Sequence, residues 1–359
     1  MEYTKLKCIN QYKSESINPA KTPDTVFEMY SVPIYETGHP EYLRGNEIAS
    51  NKAVVQKNDI LLCKINPRIN RVWVVADESD KMNIASSEWI VIRNSEYNPE
   101  FLAWYFRTRK FQKFMTSEVT GIGGSLTRAQ PKCIAEYPVP VLDRVRQDEI
   151  VDILNKCKFV IESRKQELQL LDELVKARFA EMFGDPLKNE KCLPTVSGEA
   201  LFKLSNGKAL PNNKRFDTGV PAYGGNGISW YTDEILCDYD TIIVGRVGFQ
   251  SGNVHLAKAP LWVTDNAMYI SSINSRECDI RYLCALMEHI DFTRYQDAGD
   301  LKKITQKPFM QKHYLMPPLP LQKQYIAFAR LVDKSKVAVQ KALDEAQTLF
   351  DSLMQKYFG

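Results

Sequence analysis

Hydrophobic residues recur at every seventh position in two long stretches of the chain. The first seam contains Leu154, Ile161, Leu168, Val175 and Met182, with Leu171 in a companion seam beside it. The second contains Tyr325, Val332, Val339, Ala346 and Leu353, with Leu349 in its companion seam. A sustained seven-residue spacing is typical of helices that supercoil around a partner helix. The pattern predicts two long helices, the first over residues 147–183 and about 55 Å long.

Shorter apolar runs predict strands in the segments that precede these helices. The runs are rich in β-branched residues, are bounded by Gly, Pro and Asn, and cover residues 59–63, 72–76, 89–92, 241–244 and 268–270. Residues 101–115 and 280–291 instead place aromatic and aliphatic side chains at helical spacing. Each segment is therefore predicted to be an α+β domain.

The two halves of the chain resemble each other at a shift of about 180 residues. Tyr137-Pro138-Val139-Pro140 recurs as Pro317-Pro318-Leu319-Pro320, and the helical residues 170–179 recur at 349–358. The shared chemistry also pairs Asp59 with Asp240, Lys64 with Arg246, and Thr127 with Thr305. The repeat predicts a pseudo-two-fold molecule whose two long helices pair antiparallel as a coiled coil. The alternative use of such helices is as arms for oligomerisation.

The repeat divides the chain into four predicted parts. Two similar domains cover residues 1–142 and 186–319. A central helix at 143–185 lies between them, and a C-terminal helix at 320–359 pairs with it. Gly184-Asp185-Pro186 supplies a stop for the central helix.

Charge is nearly balanced over the whole chain but not along it. Among 359 residues, 47 Lys and Arg face 44 Asp and Glu, so the formal net charge of +3 does not by itself indicate a nucleic-acid binder. Residues 101–135 contain one acid, Glu118, and residues 301–332 contain none. A charge run alone usually forms a solvated face. Two matched runs beside Gly/Ser/Thr loops favour phosphate contact, with these candidates: Ser125, Thr127, Arg128, Lys132, Lys302, Lys303, Thr305 and Lys307.

Two loops after predicted strands carry side chains suited to reading bases, since Arg pairs with guanine and Asn or Gln with adenine. The candidates are Lys64, Asn66, Arg68, Asn70 and Arg71 in the first half, and Arg246, Gln250, Ser251 and Asn253 in the second. Tyr223 and Asn226 are further candidates, because they lie in a Gly-rich segment that we interpret as a backbone turn close to the bound ligand. For any single residue, a turn with a solvent-facing side chain is an equal alternative. Residues that the two halves share are expected to support the scaffold or to contact phosphate. Residues that differ between the halves are expected to read bases.

Signals of catalysis are poor. The four histidines are not in a metalloprotease or nucleophile context, the eight cysteines are scattered, and no P-loop, nucleophile elbow or methyltransferase motif is present. We therefore expect a binding protein with no catalytic or metal site, although a nuclease centre with loosely spaced carboxylates stays a minor alternative. The beginning of the chain lacks the apolar core of a signal peptide and no long apolar span follows, so a cytoplasmic protein is expected.

The arrangement resembles the specificity subunit of type I restriction-modification systems. The resemblance covers essentially the whole chain and includes these strings: Lys64-Ile65-Asn66-Pro67-Arg68, Tyr223-Gly224-Gly225-Asn226-Gly227, Gly245-Arg246-Val247-Gly248 and Thr264-Asp265-Asn266-Ala267. One departure is that the first helix carries Arg164 and Arg178 where the second carries Ala342 and Lys356.

The resemblance implies two target-recognition domains, each reading one half of a split, asymmetric site in double-stranded DNA. The helices would act as a spacer and dock two modification subunits, which bind S-adenosylmethionine and methylate adenine. Restriction subunits that translocate and cut DNA would join them, so ATP and Mg are expected on partners and no cofactor on this chain. Open alternatives are the DNA-reading subunit of a combined restriction-methylation enzyme and a coiled-coil interaction protein without a DNA role.

Overall fold

The computed structural model describes residues 2–76, 78–117, 119–120, 127–299 and 302–359. The chain forms two compact units. The first unit is Met1–Arg164 with Ala342–Gly359, and the second unit is Lys165–Lys341. Both boundaries lie inside long helices, so each unit combines an α+β lobe with part of each helix.

The helices include two of 40 residues each, α5 and α9. In chain order the helices are α1 Leu6–Ile9, α2 Pro99–Phe106, α3 Arg109–Ser117, α4 Pro131–Ile134, α5 Arg144–Phe183, α6 Gly198–Leu201, α7 Ile280–Glu288, α8 Lys307–Gln311 and α9 Leu319–Phe358. Among the described residues, no helix combines the length and apolar character needed to cross a membrane.

The strands of the first unit are β1 Tyr3–Lys5, β2 Ser16–Ile17, β3 Val26–Tyr30, β4 Glu41–Arg44, β5 Lys52–Val54, β6 Ile60–Cys63, β7 Val72–Val74, β8 Met82–Ala85, β9 Trp89–Ile92, β10 Val119–Thr120, β11 Arg128–Ala129 and β12 Pro138–Pro140. A five-stranded sheet has the order β2-β5-β8-β3-β4, with β3 and β8 parallel. An antiparallel sheet has the order β7-β6-β9. The short strands β1 and β12 pair beside the start of α5.

The strands of the second unit are β13 Thr195–Ser197, β14 Phe202–Asn206, β15 Val220–Gly224, β16 Gly227–Thr232, β17 Thr241–Gly245, β18 Val254–Ala257, β19 Trp262–Val263, β20 Ala267–Ile273 and β21 His313–Leu315. Their sheets have the orders β14-β20-β17-β18 and β16-β15-β19, and β13 pairs with β21 as β1 pairs with β12. All five strands that the apolar runs predict are present, which confirms the mixed helix and sheet content.

The long helices pack within each unit through aromatic side chains. In the first unit, Ile150 and Leu154 near the start of α5 share a core with Phe358 at the end of α9. In the second unit, Phe183 at the end of α5 lies 5.7 Å from the ring of Tyr325 near the start of α9. In each unit the beginning of one helix thus meets the end of the other.

The predicted heptad residues differ in burial. Leu154, Ile161, Val332 and Val339 are buried, and Leu168, Leu171, Val175, Ala346 and Leu353 are half-buried. Leu349 is 54% exposed, so its predicted place in a helix seam is wrong. The next residue, Phe350, packs onto the first core, and one residue along a helix rotates the side chain by about 100°, which turns Leu349 to solvent.

A buried glutamine fixes the first turn of each long helix to its lobe. Gln147 Oε1 accepts the backbone N–H of Asn98 at 2.8 Å, and its Nε2 donates to Leu142 O at 2.8 Å. Gln322 makes the same contacts with Asp279 N at 2.9 Å and Pro317 O at 2.8 Å. Asn98 and Asp279 are the N-caps of α2 and α7, so each lobe is oriented by the same clamp.

The clamps and the helix ends also set the register of the repeat in the helices. Gln147 corresponds to Gln322 and Phe183 to Phe358, whereas the sequence match placed Phe179 opposite Phe358. That match is wrong by four residues. Residues four apart lie on the same helical face, so a shift of about one turn preserves the apolar pattern that the match relied on.

Candidate nucleic-acid interface

In the first unit, the loop after β6 is hydrogen-bonded to the basic segment that follows α3. The backbone N–H of Asn66 donates to Thr127 O at 2.8 Å, and that of Ala129 donates to Lys64 O at 2.8 Å. Ile65 and Arg128 form a β-bridge between these bonds. We call residues 64–71 with 127–129 the first junction. It joins two segments that the sequence suggested separately.

The second unit has the same two backbone hydrogen bonds and the same β-bridge at equivalent positions. The backbone N–H of Gly248 donates to Lys302 O at 2.8 Å, and that of Ile304 donates to Arg246 O at 3.0 Å. Val247 and Lys303 form the β-bridge. We call residues 246–253 with 302–304 the second junction. In both units a loop with candidate base readers is thereby held against cationic side chains.

The matched hydrogen bonds correct one pair of residues that the sequence repeat treats as equivalent. They pair Thr127 with Lys302 and Arg128 with Lys303, whereas the sequence match paired Thr127 with Thr305. Lys64 and Arg246 remain equivalent. The backbone conformation agrees, because Asn66 and Gly248 occupy the same place in the two loops and both have positive φ, 47° and 92°. Asn and Gly are the residues that adopt this conformation most readily.

The candidates of the first junction differ in accessibility. Arg68 and Lys132 are exposed, Lys64, Asn66 and Arg71 are half-buried, and Thr127 is buried. Asn70 Nδ2 donates to Phe106 O at 3.0 Å, which ties the loop to the end of α2. Asn66 Oδ1 is buried with no hydrogen-bond partner among the described residues. Ser125 and the loop at 121–126 lie outside the described residues.

Arg128 is exposed but paired in the free protein. Its Nε and Nη2 donate to the two Glu88 carboxylate oxygens at 3.2 and 3.1 Å. These hydrogen bonds raise the pKa of Arg128. The pair is partly exposed and is screened by water, so a phosphate can replace Glu88 as the partner of Arg128.

In the second junction, Lys303, Thr305 and Lys307 are exposed, and Arg246, Gln250, Asn253 and Lys302 are half-buried. Arg246 Nη1 donates to Asp265 O at 3.2 Å, and Asn253 Nδ2 donates to Gln250 Oε1. Ser251 is fully buried, so its predicted base-reading role is wrong for this conformation. Its carbonyl accepts from Gln296 Nε2 at 2.7 Å, and its hydroxyl is buried with no hydrogen-bond partner among the described residues.

The β15–β16 hairpin lies against the start of the second loop. A Cβ on Gly225 would approach Gly245 Cα to 3.2 Å, so the glycine permits this close contact. Asn226 is exposed at the turn. Tyr223 is half-buried, and burial raises the pKa of its hydroxyl, which therefore stays neutral near pH 7. The structure thus brings this hairpin and the second junction together.

Two residues at the junctions, Glu88 and Phe249, were not among the candidates predicted from sequence. Glu88 is the partner of Arg128, and only the fold brings these residues together. Phe249 lies at the tip of the second loop and is 89% exposed. In the sequence, the only indication of an exposed ring here is a phenylalanine within a Gly-rich loop.

The described residues show no cluster of three or more His, Cys, Asp or Glu side chains arranged to hold a metal ion. All eight cysteines are free thiols. Burial raises the pKa of Cys63, which precedes the first loop, so this thiol is protonated at neutral pH.

Solved structures with a similar fold include a specificity subunit of a type I restriction-modification system. The type I restriction-modification S subunit from M. genitalium aligns over 100% of this chain and 96% of its own, with 14% identity and a TM-score of 0.67. A second similar chain belongs to a structure that addresses complex assembly and conformational transition of a type I R-M system. It aligns over 99% of this chain and 97% of its own, with 17% identity and a TM-score of 0.58. No protein-family model matches the sequence, and neither does any curated protein. The chain therefore has the fold of type I specificity subunits.

Proposed function

We propose that this chain is the DNA-binding specificity subunit of a type I restriction-modification complex. It reads a bipartite, asymmetric site in double-stranded DNA, with one half-site for each unit. The observation that carries the proposal is the pair of matched junctions. Each places exposed cations beside a loop of Arg, Asn and Gln side chains, which combines phosphate contact with base readout.

The proposal assigns different roles to shared and differing positions. Backbone bonds that both junctions share cannot distinguish two half-sites, so they form the scaffold. Arg71 and Asn253 occupy equivalent places at the ends of the two loops and offer different hydrogen-bonding groups. Guanine suits the first side chain and adenine the second. The chain therefore reads two different half-sites from one framework.

In this proposal the two long helices pair antiparallel and set the spacing between the half-sites. Each has 40 residues and rises about 60 Å. A preorganised pair avoids the ordering cost of a flexible linker on binding. The helices also dock two modification subunits, which carry S-adenosylmethionine and methylate adenine, and restriction subunits with ATP and Mg join the complex. The chain itself performs no catalysis and directs that of its partners.

Salt-dependent duplex binding tests the proposal. The full chain, purified with its modification subunits, is titrated with a 50-base-pair duplex over a range of salt concentrations. Each phosphate contact contributes about 0.9 to the slope of log affinity against log salt. Lys303→Ala is expected to lower this slope by about 1, because Lys303 is exposed at the second junction. Lys188→Ala, which removes an exposed lysine from the turn after α5, is the matched control and should leave the slope unchanged.

Other outcomes identify the alternatives. Absence of salt-dependent binding with partners present would contradict the proposal and favour a coiled-coil interaction protein. Metal-dependent cleavage by the isolated chain would indicate a nuclease centre. A single large partner that carries both methylation and restriction would indicate the combined enzyme.

A further inference from the structure

Phe249 presents an aromatic ring to solvent at the tip of the second loop. Its side chain is 89% exposed, whereas Phe292 and Phe309 in the same unit are buried. Water is an unfavourable environment for a phenyl ring, so a ring held there gains free energy from any partner that covers it.

The loop that carries Phe249 is anchored on both sides. The backbone N–H of Ser251 donates to Gly248 O at 3.0 Å, and that of Gly252 donates to Gly245 O at 2.8 Å. A Cβ on Gly252 would lie 3.1 Å from the carbonyl carbon of Phe292, so the base of the loop packs closely on the lobe. The fold therefore holds the ring outward on a tight, hydrogen-bonded turn.

Cationic residues lie beside the base of this turn in the second junction. Gly248, the residue before Phe249, is hydrogen-bonded to the backbone of Lys302, and Val247 bridges to Lys303. Arg246 begins the same loop. A ring among cations suits a ligand with apolar faces and regularly spaced negative charges, which is the chemistry of stacked bases between phosphates.

The first junction lacks this feature. Pro67 occupies the place of Phe249, one residue after the positive-φ position, and it is buried. The exposed ring is thus specific to the second unit and is not required by the shared loop conformation.

We propose that Phe249 is a base-contacting wedge, which inserts its ring at a base step of the half-site read by the second unit. The inference rests on the proposed DNA-binding function and adds an aromatic contact to it. Apolar side chains that enter base steps unstack them partially, and the lost stacking is replaced by contact with the ring.

The test selects preferred sequences from a randomised duplex library, with the full chain and its modification subunits. Compared with wild type, Phe249→Ala is expected to lose the preference at one or two adjacent base pairs of one half-site. Its affinity for the wild-type consensus duplex should fall about tenfold, which is about 1.4 kcal/mol. The salt slope should not change, because the substitution removes no charge.

Phe216→Ala is the matched control, since Phe216 is also an exposed phenylalanine of the second unit, at 45%, and lies outside both junctions and both long helices. It should leave consensus and affinity unchanged. A 2-aminopurine base at the affected step should brighten on binding wild type and stay dim with Phe249→Ala.

An unchanged consensus and affinity for Phe249→Ala, with normal wild-type selection, would overturn the wedge and leave the proposed function standing. Loss of the modification subunits from the purified Phe249→Ala complex would also overturn it, because the ring would then serve protein contact. Failure of the wild type to enrich any sequence would overturn both.

Discussion

Helices α2 and α7 begin in the same way in their units and differ six residues after their N-caps. At this position α2 carries Trp104 and α7 carries Ala285. The Trp104 ring lies 5.5 Å from Phe350 on α9, and its Nε1 donates to Asn155 on α5 at 3.0 Å. In the second unit, Ala285 and Val175 line an open groove of about 800 Å³.

The difference shows which parts of the repeat are constrained. The glutamine clamps and the junction hydrogen bonds occur in both units, whereas the side chains that fill the space beside the long helices do not. Backbone geometry is therefore the shared property. Packing, and with it surface chemistry, is free to differ between the units.

Replacing Trp104 should produce the largest effect. Trp104→Ala leaves a cavity beside Phe350 and removes the hydrogen bond to Asn155, so the first unit should lose about 3–5 kcal/mol of unfolding free energy. Urea denaturation of wild type and variant measures this loss. The reciprocal change, Ala285→Trp, places an indole in the open groove and should cost less than about 1 kcal/mol, because the groove avoids the strain of overpacking a filled core. Equal losses in both variants would show that the two sites are packed alike.

A second contrast concerns the aspartate directly before β6 in the first unit and the one directly before β17 in the second. Asp59 is buried and accepts two hydrogen bonds from Arg93, at 2.7 and 2.6 Å. Asp240 is partly exposed and lies 3.4 Å from Arg281. Asp59→Asn should therefore destabilise the protein by about 3 kcal/mol. Asp240→Asn should cost about 1 kcal/mol or less.

Thermal or urea unfolding of these two variants provides the comparison. The result that would count against this account is a loss for Asp240→Asn as large as that for Asp59→Asn. It would mean that the exposed pair contributes as much as the buried one.

The sequence predicted the elements better than their contacts. Strand β9 lies at the predicted residues 89–92, and α5 ends at the predicted Phe183. The sequence pattern does not predict strands β2 to β5, because each contains a polar or charged residue, such as Glu28 in β3 and Lys52 in β5, and therefore lacks a continuous apolar run. The helix register was wrong by four residues because similar residues recur on one helical face.

The junctions could not be predicted from local pattern. Lys64 and Ala129 are far apart in sequence, and only sheet topology brings the loop to the basic segment. Ser251 is polar and lies in a loop, which suggests exposure, but the structure buries it completely. Trp104 and Ala285 are both ordinary helix residues in sequence, and their different roles depend on the opposing residues Phe350 and Val175.

A smaller effect is expected when the candidate base-reading residues of the two loops are replaced one at a time. Arg71→Ala should relax the preference of one half-site by about 1–3 kcal/mol if Arg71 reads guanine. Asn253→Ala, at the equivalent place, should relax the other half-site only. Duplex-library selection measures both. If Arg71→Ala instead weakened binding equally on all sequences and lowered the salt slope, Arg71 would be a phosphate contact.

The most direct test of the central claim changes the helices and leaves both readers intact. Four residues are inserted after Arg164 in α5 and four after Lys341 in α9, so that each helix gains about one turn. The recognised site is then mapped from the adenines that the complex methylates. The insertion adds about 6 Å, so the spacer should lengthen by about two base pairs while both half-sites stay the same. An unchanged spacer, or a changed half-site, would contradict the claim that two independent readers are held apart by the helices.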